Sequence, residues 1–349
     1  MIKGYASLNE TREYFNKIGI SEEYVKNNGD FYTIGIGIGT HLGDFSDEHS
    51  NLYKDAIEYG LKNGINFIDT SVTYREMKSE KDIGHVLDDL INKKQILKRE
   101  EVIVATKGGQ IYGDCDINVR PIDYLEEILI PEGILNIEDV NVVHGHRHTL
   151  VPYFYETTIE LSKNNLGIET IDIHYIHNPE ISKYVLGEDK FYQQLKILIE
   201  FYEEQVEKEN IRFYGISSWE AFTCNLDSNW HISMEKIINI AKEVKGEHHH
   251  LKFIQLPYNI YNQNGSKLKN QIIDGEYYNA IDAANKLGLN VTVSAPLNQF
   301  KDDDNDISLT EKLNFIKNAK GIYSAIIGSK RKEHIKENLN FINSCTANC

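Results

Sequence analysis

Eight short apolar runs, each followed by a stretch patterned as a helix, repeat along this 349-residue chain and leave few folds open to it. The runs are Phe31 to Gly39, Phe67 to Asp69, Val102 to Lys107, Thr170 to His177, Ile211 to Ser217, Phe253 to Gln255, Val291 to Ser294 and Tyr323 to Gly328. Between them apolar residues fall at helical spacing, as in Ile83, Val86, Leu87, Leu90 and Ile91, or Phe191, Leu195, Leu198, Ile199 and Tyr202. Short runs joined by helices read as parallel strands, because parallel neighbours need a crossover between them. Eight such units in roughly 310 residues predict an α/β fold of the closed (β/α)8 TIM-barrel kind rather than an open doubly wound sheet. No linker rich in Pro, Ser or Gly interrupts the pattern, so a single domain is expected. Its parts are an N-terminal extension at 1–30, polar and partly helical, a barrel at 31–343, and a tail at 344–349.

Charge and cysteine usage exclude several classes. Lys and Arg number 37 against 53 Asp and Glu, a net charge of −16, which disfavours nonspecific binding to nucleic acid or an anionic membrane. No run approaches the length needed to span a bilayer, and the start has no continuous apolar segment of the signal-peptide kind. Four cysteines, Cys115, Cys224, Cys345 and Cys349, form no C-x-x-C pair, which fits a reducing compartment and a cytoplasmic protein. The acidic run at 301–306 reads as a solvated loop.

Chemistry is expected where strands end. Asp69, Lys107, His177, Ser217 and Gln255 stand at the ends of successive runs, and in a parallel barrel those ends share one mouth. Tyr74 follows Asp69 in a loop, before a helix that Ser79 and Asp82 would open as a capping box. A phenol donates a proton to a developing alkoxide best when its pKa moves from about 10 toward neutrality. An ammonium beside it favours the phenolate, and a carboxylate keeps that ammonium charged and in place. His177 would orient and polarise a carbonyl.

Gly35, Gly37 and Gly39 alternate with isoleucine but complete no G-x-G-x-x-G, so a tight inner strand explains them better than a dinucleotide loop. His144, His146 and His148 are placed near the barrel mouth, and His248 to His250 in a surface loop; neither group has zinc-ligand spacing, and no metal site is assigned. The connection from 108 to 150 is long enough to be functional or to carry small elements of its own.

These residues resemble the aldo-keto reductases. Asp69-Thr-Ser-Val-Thr-Tyr74 with Ser79-Glu80 and Gly84, Thr106-Lys107-Gly108-Gly109, and Tyr175-Ile-His177-Asn-Pro179 are similar to that family's Asp-to-Tyr, lysine and histidine segments. The resemblance implies a (β/α)8 barrel that reduces an aldehyde or ketone with NADP(H), NAD being the alternative, or runs the reverse. It makes Tyr74 the general acid, tuned by Lys107 and Asp69, with His177 on the substrate carbonyl. It further implies that Ser217, Ser218 and Gln255 hold the nicotinamide amide, with Ser218 standing where many members have asparagine. Ser294, Pro296 and Leu297 would line the pyrophosphate side, Ser294 replacing a stacking tyrosine.

Gly328, Ser329, Lys330, Arg331, His334, Glu337 and Asn338 resemble the adenosine end. Two cations before a helix suit a 2′-phosphate on their own account, although a Ser N-cap with solvated basic neighbours gives the same pattern. Two competing readings remain: a nucleotide-binding regulatory barrel with little turnover, and a metal-dependent hydrolase on the same barrel.

Overall fold

The computed structural model describes residues 1–21, 25–300 and 307–344. Cys345, Cys349 and the acidic run at 301–306 lie outside them. Eight parallel strands close into a barrel: β1 (Ile36–Gly39), β2 (Phe67–Asp69), β3 (Ile103–Gly108), β4 (Ile171–His177), β5 (Ile211–Ser217), β6 (Leu251–Pro257), β7 (Asn290–Ser294) and β8 (Ile322–Gly328). Each pairs with the next in sequence, and β8 returns to β1 through Ala325 opposite Ile36 and Gly328 opposite Gly39. Outside the sheet run α1 (Asp47–Lys62), α2 (Lys78–Leu87), α3 (Pro152–Leu166), α4 (Glu188–Glu207), α5 (Met234–Lys245), α6 (Ala280–Lys286), α7 (Leu309–Asn318) and α8 (Lys332–Ser344).

Two separate cores follow from strand alternation. Inward residues Phe67, Ile103, Ala105, Ile173, Tyr175, Phe213, Phe253, Tyr323 and Ile326 fill the barrel. Outward residues pack on the helices, among them the stripe Phe191, Leu195, Leu198, Ile199 and Tyr202 of α4. The glycines of β1 belong to the inner packing. A Cβ on Gly37 would come within 2.8 Å of Ile326 Cδ1, and one on Gly39 within 3.0 Å of Ile326 Cγ2. A tight strand, not a phosphate loop, accounts for them.

Residues 1 to 33 form a helix (Leu8–Ile18) and a hairpin (Lys26–Asn27 with Tyr32–Thr33) that close the end of the barrel where the strands begin. Phe31 joins the inner core, the Ala6 amide donates to Asp172 Oδ1 at 2.6 Å, and Arg212 lies over the rings of Tyr5 and Phe31. That end is plugged, and the larger cavity among the described residues lies at the opposite mouth. The long connection after β3 carries its own hairpin, Asn141–Val143 with His146–His148, which stands over this mouth.

The entry to α2 differs from the capping box expected there. Arg75, Glu76 and Met77 all take left-handed backbone angles (φ 54°, 50° and 69°), and Met77 occupies the cap with no side-chain bond. Ser79 Oγ donates instead to the Thr40 carbonyl at 2.8 Å. Asp82 accepts from Arg75 Nη1 at 2.8 Å, both side chains being buried. Ser79 is drawn to Thr40, far off in sequence, and Asp82 to Arg75 just before the helix, because a buried guanidinium needs a carboxylate more than a helix end needs a cap.

Candidate active site

A cavity of about 910 Å³ occupies the open mouth. Asp69, Tyr74, His177 and Gln255 line it together with Ser294, Pro296, Leu297 and Gly328. Lys107 lies just behind, fully buried at the end of β3. Its ammonium donates to Asp69 Oδ1 at 2.5 Å and to the Thr70 carbonyl at 2.8 Å, and sits 4.9 Å from the centroid of the Tyr74 ring. The Tyr74 and His177 rings meet edge to face at 6.0 Å. The four residues drawn from three strand ends therefore share one point.

Behind them a hydrogen-bonded chain fixes the arrangement. Gln255 Nε2 donates to Asp69 Oδ2 at 2.9 Å, while its Oε1 accepts from Ser217 Oγ at 2.8 Å. With Lys107 on one oxygen and Gln255 on the other, Asp69 cannot rotate away. Burial opposes a charge on Lys107, but Asp69 and Tyr74 outweigh it and hold the ammonium above its ordinary pKa.

Tyr74 departs from the expected direction. Burial pushes the phenol up, and the pull of Lys107, by charge and by hydrogen bond, lowers it without cancelling that push. The ring keeps a face toward the cavity, so the dry-site push acts in full only when a ligand displaces cavity water. At neutral pH the phenol holds its proton, as an acid must before it donates. Burial, then the Lys107 charge, holds His177 well below the usual imidazole range. Its ring is neutral and presents one N–H; Nδ1 is 3.5 Å from Ser71 Oγ, which leaves Nε2 for a substrate oxygen.

The remaining candidate residues divide into two groups. Ser294, Pro296 and Leu297 border the cavity on a stretch in which Ala295, Asn298 and Gln299 have φ near 50–56°. Non-glycine residues persist there only where the surroundings enforce the conformation, as ligand-binding segments do. Gly328 and its β1 partner Gly39 present bare backbone to the same wall, and a Cβ on Gly328 would come within 3.1 Å of Leu42. This cradle suits a flat ring or a phosphate approaching the main chain.

Ser217 and Ser218 are buried beneath the wall, Ser218 Oγ accepting from the Ala221 amide. Ser329 is buried beside Asn338, and so does not act as an exposed N-cap; Arg331 accepts from the first amides of α8. Lys330 Nζ meets His49 Nε2 at 2.9 Å, across the groove from the β1 loop. Arg331 and Glu337 are exposed and His334 is half-buried on the first turns of α8.

Sequence reading missed three contributors. The His41 ring stands 4.8 Å from Tyr74, one position past the Gly-Thr that ends β1; its polar type at a strand end was the available signal. Glu180, at the start of a short helix (Glu180–Leu186), and Trp230, in the connection between β5 and α5, also line the cavity. Of the histidine groups, His144 and His146 border the cavity, whereas His148 turns inward to Ser182 at 2.7 Å and burial lowers its pKa to about 3. His248 to His250 are not wholly at the surface: His249 is buried, and His250 Nδ1 lies 2.7 Å from Glu203 Oε2. Among the described residues, the group spaced to hold a metal is Asp114, Cys115 and Asp116, not either histidine cluster.

Comparison with known proteins matches residues 33–346 to the model of the aldo/keto reductase family. Solved structures with the same fold include an aldo/keto reductase from Klebsiella pneumoniae in complex with NADP and acetate, 16% identical, covering 93% of this chain and 90% of that one, with a TM-score of 0.57. Another is the aldo-keto reductase AKR11C1 from Bacillus halodurans in its holo form, also 16% identical, with coverage of 91% and 90% and a TM-score of 0.56.

Proposed function

The chain belongs to the aldo/keto reductase family, and on that premise we propose that it is an NADP(H)-dependent oxidoreductase that reduces an aldehyde or ketone to its alcohol, or runs the reverse. The observation that carries this reading is the convergence of Tyr74, Lys107, Asp69 and His177 at one end of a ligand-sized cavity. Gly39, Gly328 and the 294–297 segment would hold a reduced nicotinamide nucleotide, which would supply the hydride. The neutral His177 ring donates a hydrogen bond to the carbonyl oxygen and sets its position. Tyr74 gives that oxygen its proton as negative charge builds there. The Lys107 ammonium, kept charged by Asp69, then stabilises the phenolate left behind.

Lys330 and Arg331 are assigned to the 2′-phosphate, and the reducing cytoplasm is the compartment that suits the unpaired Cys115 and Cys224. The chain has two tryptophans, Trp219 and Trp230, and both line the cavity. Their fluorescence therefore reports this site directly. Titration should show quenching by NADPH at lower concentration than by NADH, and the protein should oxidise NADPH with members of a carbonyl panel. Ser218 and Ser294 depart from the family pattern and favour the second reading, a nucleotide-binding barrel with little turnover; NADPH binding with no oxidation across the panel would establish it.

A further inference from the structure

We propose that the substrate end of the cavity selects a carbonyl compound carrying a positive charge, an amine or quaternary ammonium group, and that Glu180 is the residue that selects it. This rests on the reductase reading above and names its substrate class.

Three carboxylates, Asp69, Glu180 and Glu220, line the cavity, and no lysine or arginine does so among the described residues. Asp69 is neutralised from behind by Lys107. Negative charge with no facing lysine or arginine therefore belongs to Glu220 and to the ionised form of Glu180, which a cation in the cavity would favour. An anionic carbonyl compound such as a keto acid meets repulsion there, and a neutral one gains nothing from it.

Glu180 follows Asn178-Pro179 at the end of β4 and is 2% exposed. Its Oε1 accepts the amides of Trp219 at 3.1 Å and Glu220 at 3.4 Å, and the Ser218 side chain and the residue's own amide also bear on the carboxylate, whose Oε2 is buried. Burial outweighs these bonds and pushes its pKa up to about 7. A cation in the cavity relieves that cost. Because protein covers Oε2, the carboxylate acts through its field rather than by contact, so a quaternary ammonium lacking any N–H serves as well as a primary amine.

The same turn supplies the second element of cation recognition. Trp219, whose amide Glu180 holds, is 42% exposed. Trp230 lines the cavity from the same connection between β5 and α5, braced between the rings of Tyr184 at 4.5 Å and His144 at 6.5 Å. A carboxylate beside indole faces is the chemistry that binds ammonium groups.

The test uses isosteres that differ only in charge: aldehydes ending in a trimethylammonium group and their tert-butyl counterparts, at several chain lengths, with NADPH and the full-length protein. At the best length the cationic member should have kcat/KM at least about tenfold higher. In Glu180→Gln that ratio should fall toward one, whatever the absolute rates. Binding of the corresponding alcohols, 2-hydroxyethyl-trimethylammonium and 3,3-dimethylbutan-1-ol, read by tryptophan fluorescence, makes the same comparison without turnover. Reduction of the neutral aldehydes with no cationic preference overturns this proposal and leaves the reductase reading intact. Preferential binding of the ammonium alcohol with no reduction supports it and counts against that reading. A ratio unchanged in Glu180→Gln, or no binding of either alcohol, also overturns it.

Discussion

Arg75 Nη1 donates to Asp82 Oδ2 at 2.8 Å inside the protein, and this pair anchors the residue next to Tyr74. Arg75 also donates to Ser50 Oγ at 2.9 Å and the Asp44 carbonyl at 2.5 Å, and lies over the Tyr53 ring. Three consecutive left-handed residues, 75 to 77, persist because this anchor enforces them. Asp82→Ala leaves a buried guanidinium without its carboxylate and should cost about 3–5 kcal/mol in urea unfolding. Turnover should fall as well, since the phenol loses its fixed position.

Lys107 and Asp69 form the second buried pair. Lys107→Met strands the carboxylate and should destabilise by a similar amount, about 3–5 kcal/mol. Adding Asp69→Asn should recover part of that loss while activity stays absent. Non-additive unfolding energies from the two single variants and the double variant would verify the coupling.

Glu180 gives stability a specific pH dependence. Its folded pKa of about 7 stands above the ordinary 4.5, so the native state keeps a proton that the unfolded chain releases in that window. Stability from this group is present below about pH 4.5 and is lost as pH rises through 7. Glu180→Gln should match the wild type near pH 4.5 and exceed it at pH 8 by up to about 3 kcal/mol, at about 1.4 kcal/mol per unit. Urea midpoints at the two pH values measure this difference.

Lys330 Nζ lies 2.9 Å from His49 Nε2, in the first turn of α1. Lys330→Met should weaken NADPH binding about tenfold more than NADH binding, one charge-assisted bond being removed from the nucleotide that carries the extra phosphate. Tryptophan quenching by each nucleotide gives both constants.

The barrel was legible because its signal is repeated: eight apolar runs and their helical stripes each had to find one face, and β4 was read to within a residue, while for α4 the buried stripe was read but not its ends. Tyr74, Lys107, Asp69 and His177 were legible because strand ends in a parallel barrel converge whatever lies between them. What escaped was set by contacts distant in sequence. Ser79 and Asp82 satisfy a local capping pattern, yet Thr40 and Arg75 claim them. The sign of the Tyr74 shift depends on burial, which neighbouring charges in the sequence do not report. Glu180 becomes notable only when it is seen buried in the cavity wall, held by the Trp219 and Glu220 amides.

Tyr74→Phe isolates the proton that the mechanism requires, removing one oxygen and little else. NADPH should quench the tryptophans of the variant at nearly the wild-type concentration, while NADPH oxidation with the best aldehyde should drop by about 10²–10⁴-fold. Oxidation at the wild-type rate, with cofactor bound equally well, would contradict the assignment of Tyr74 as the acid.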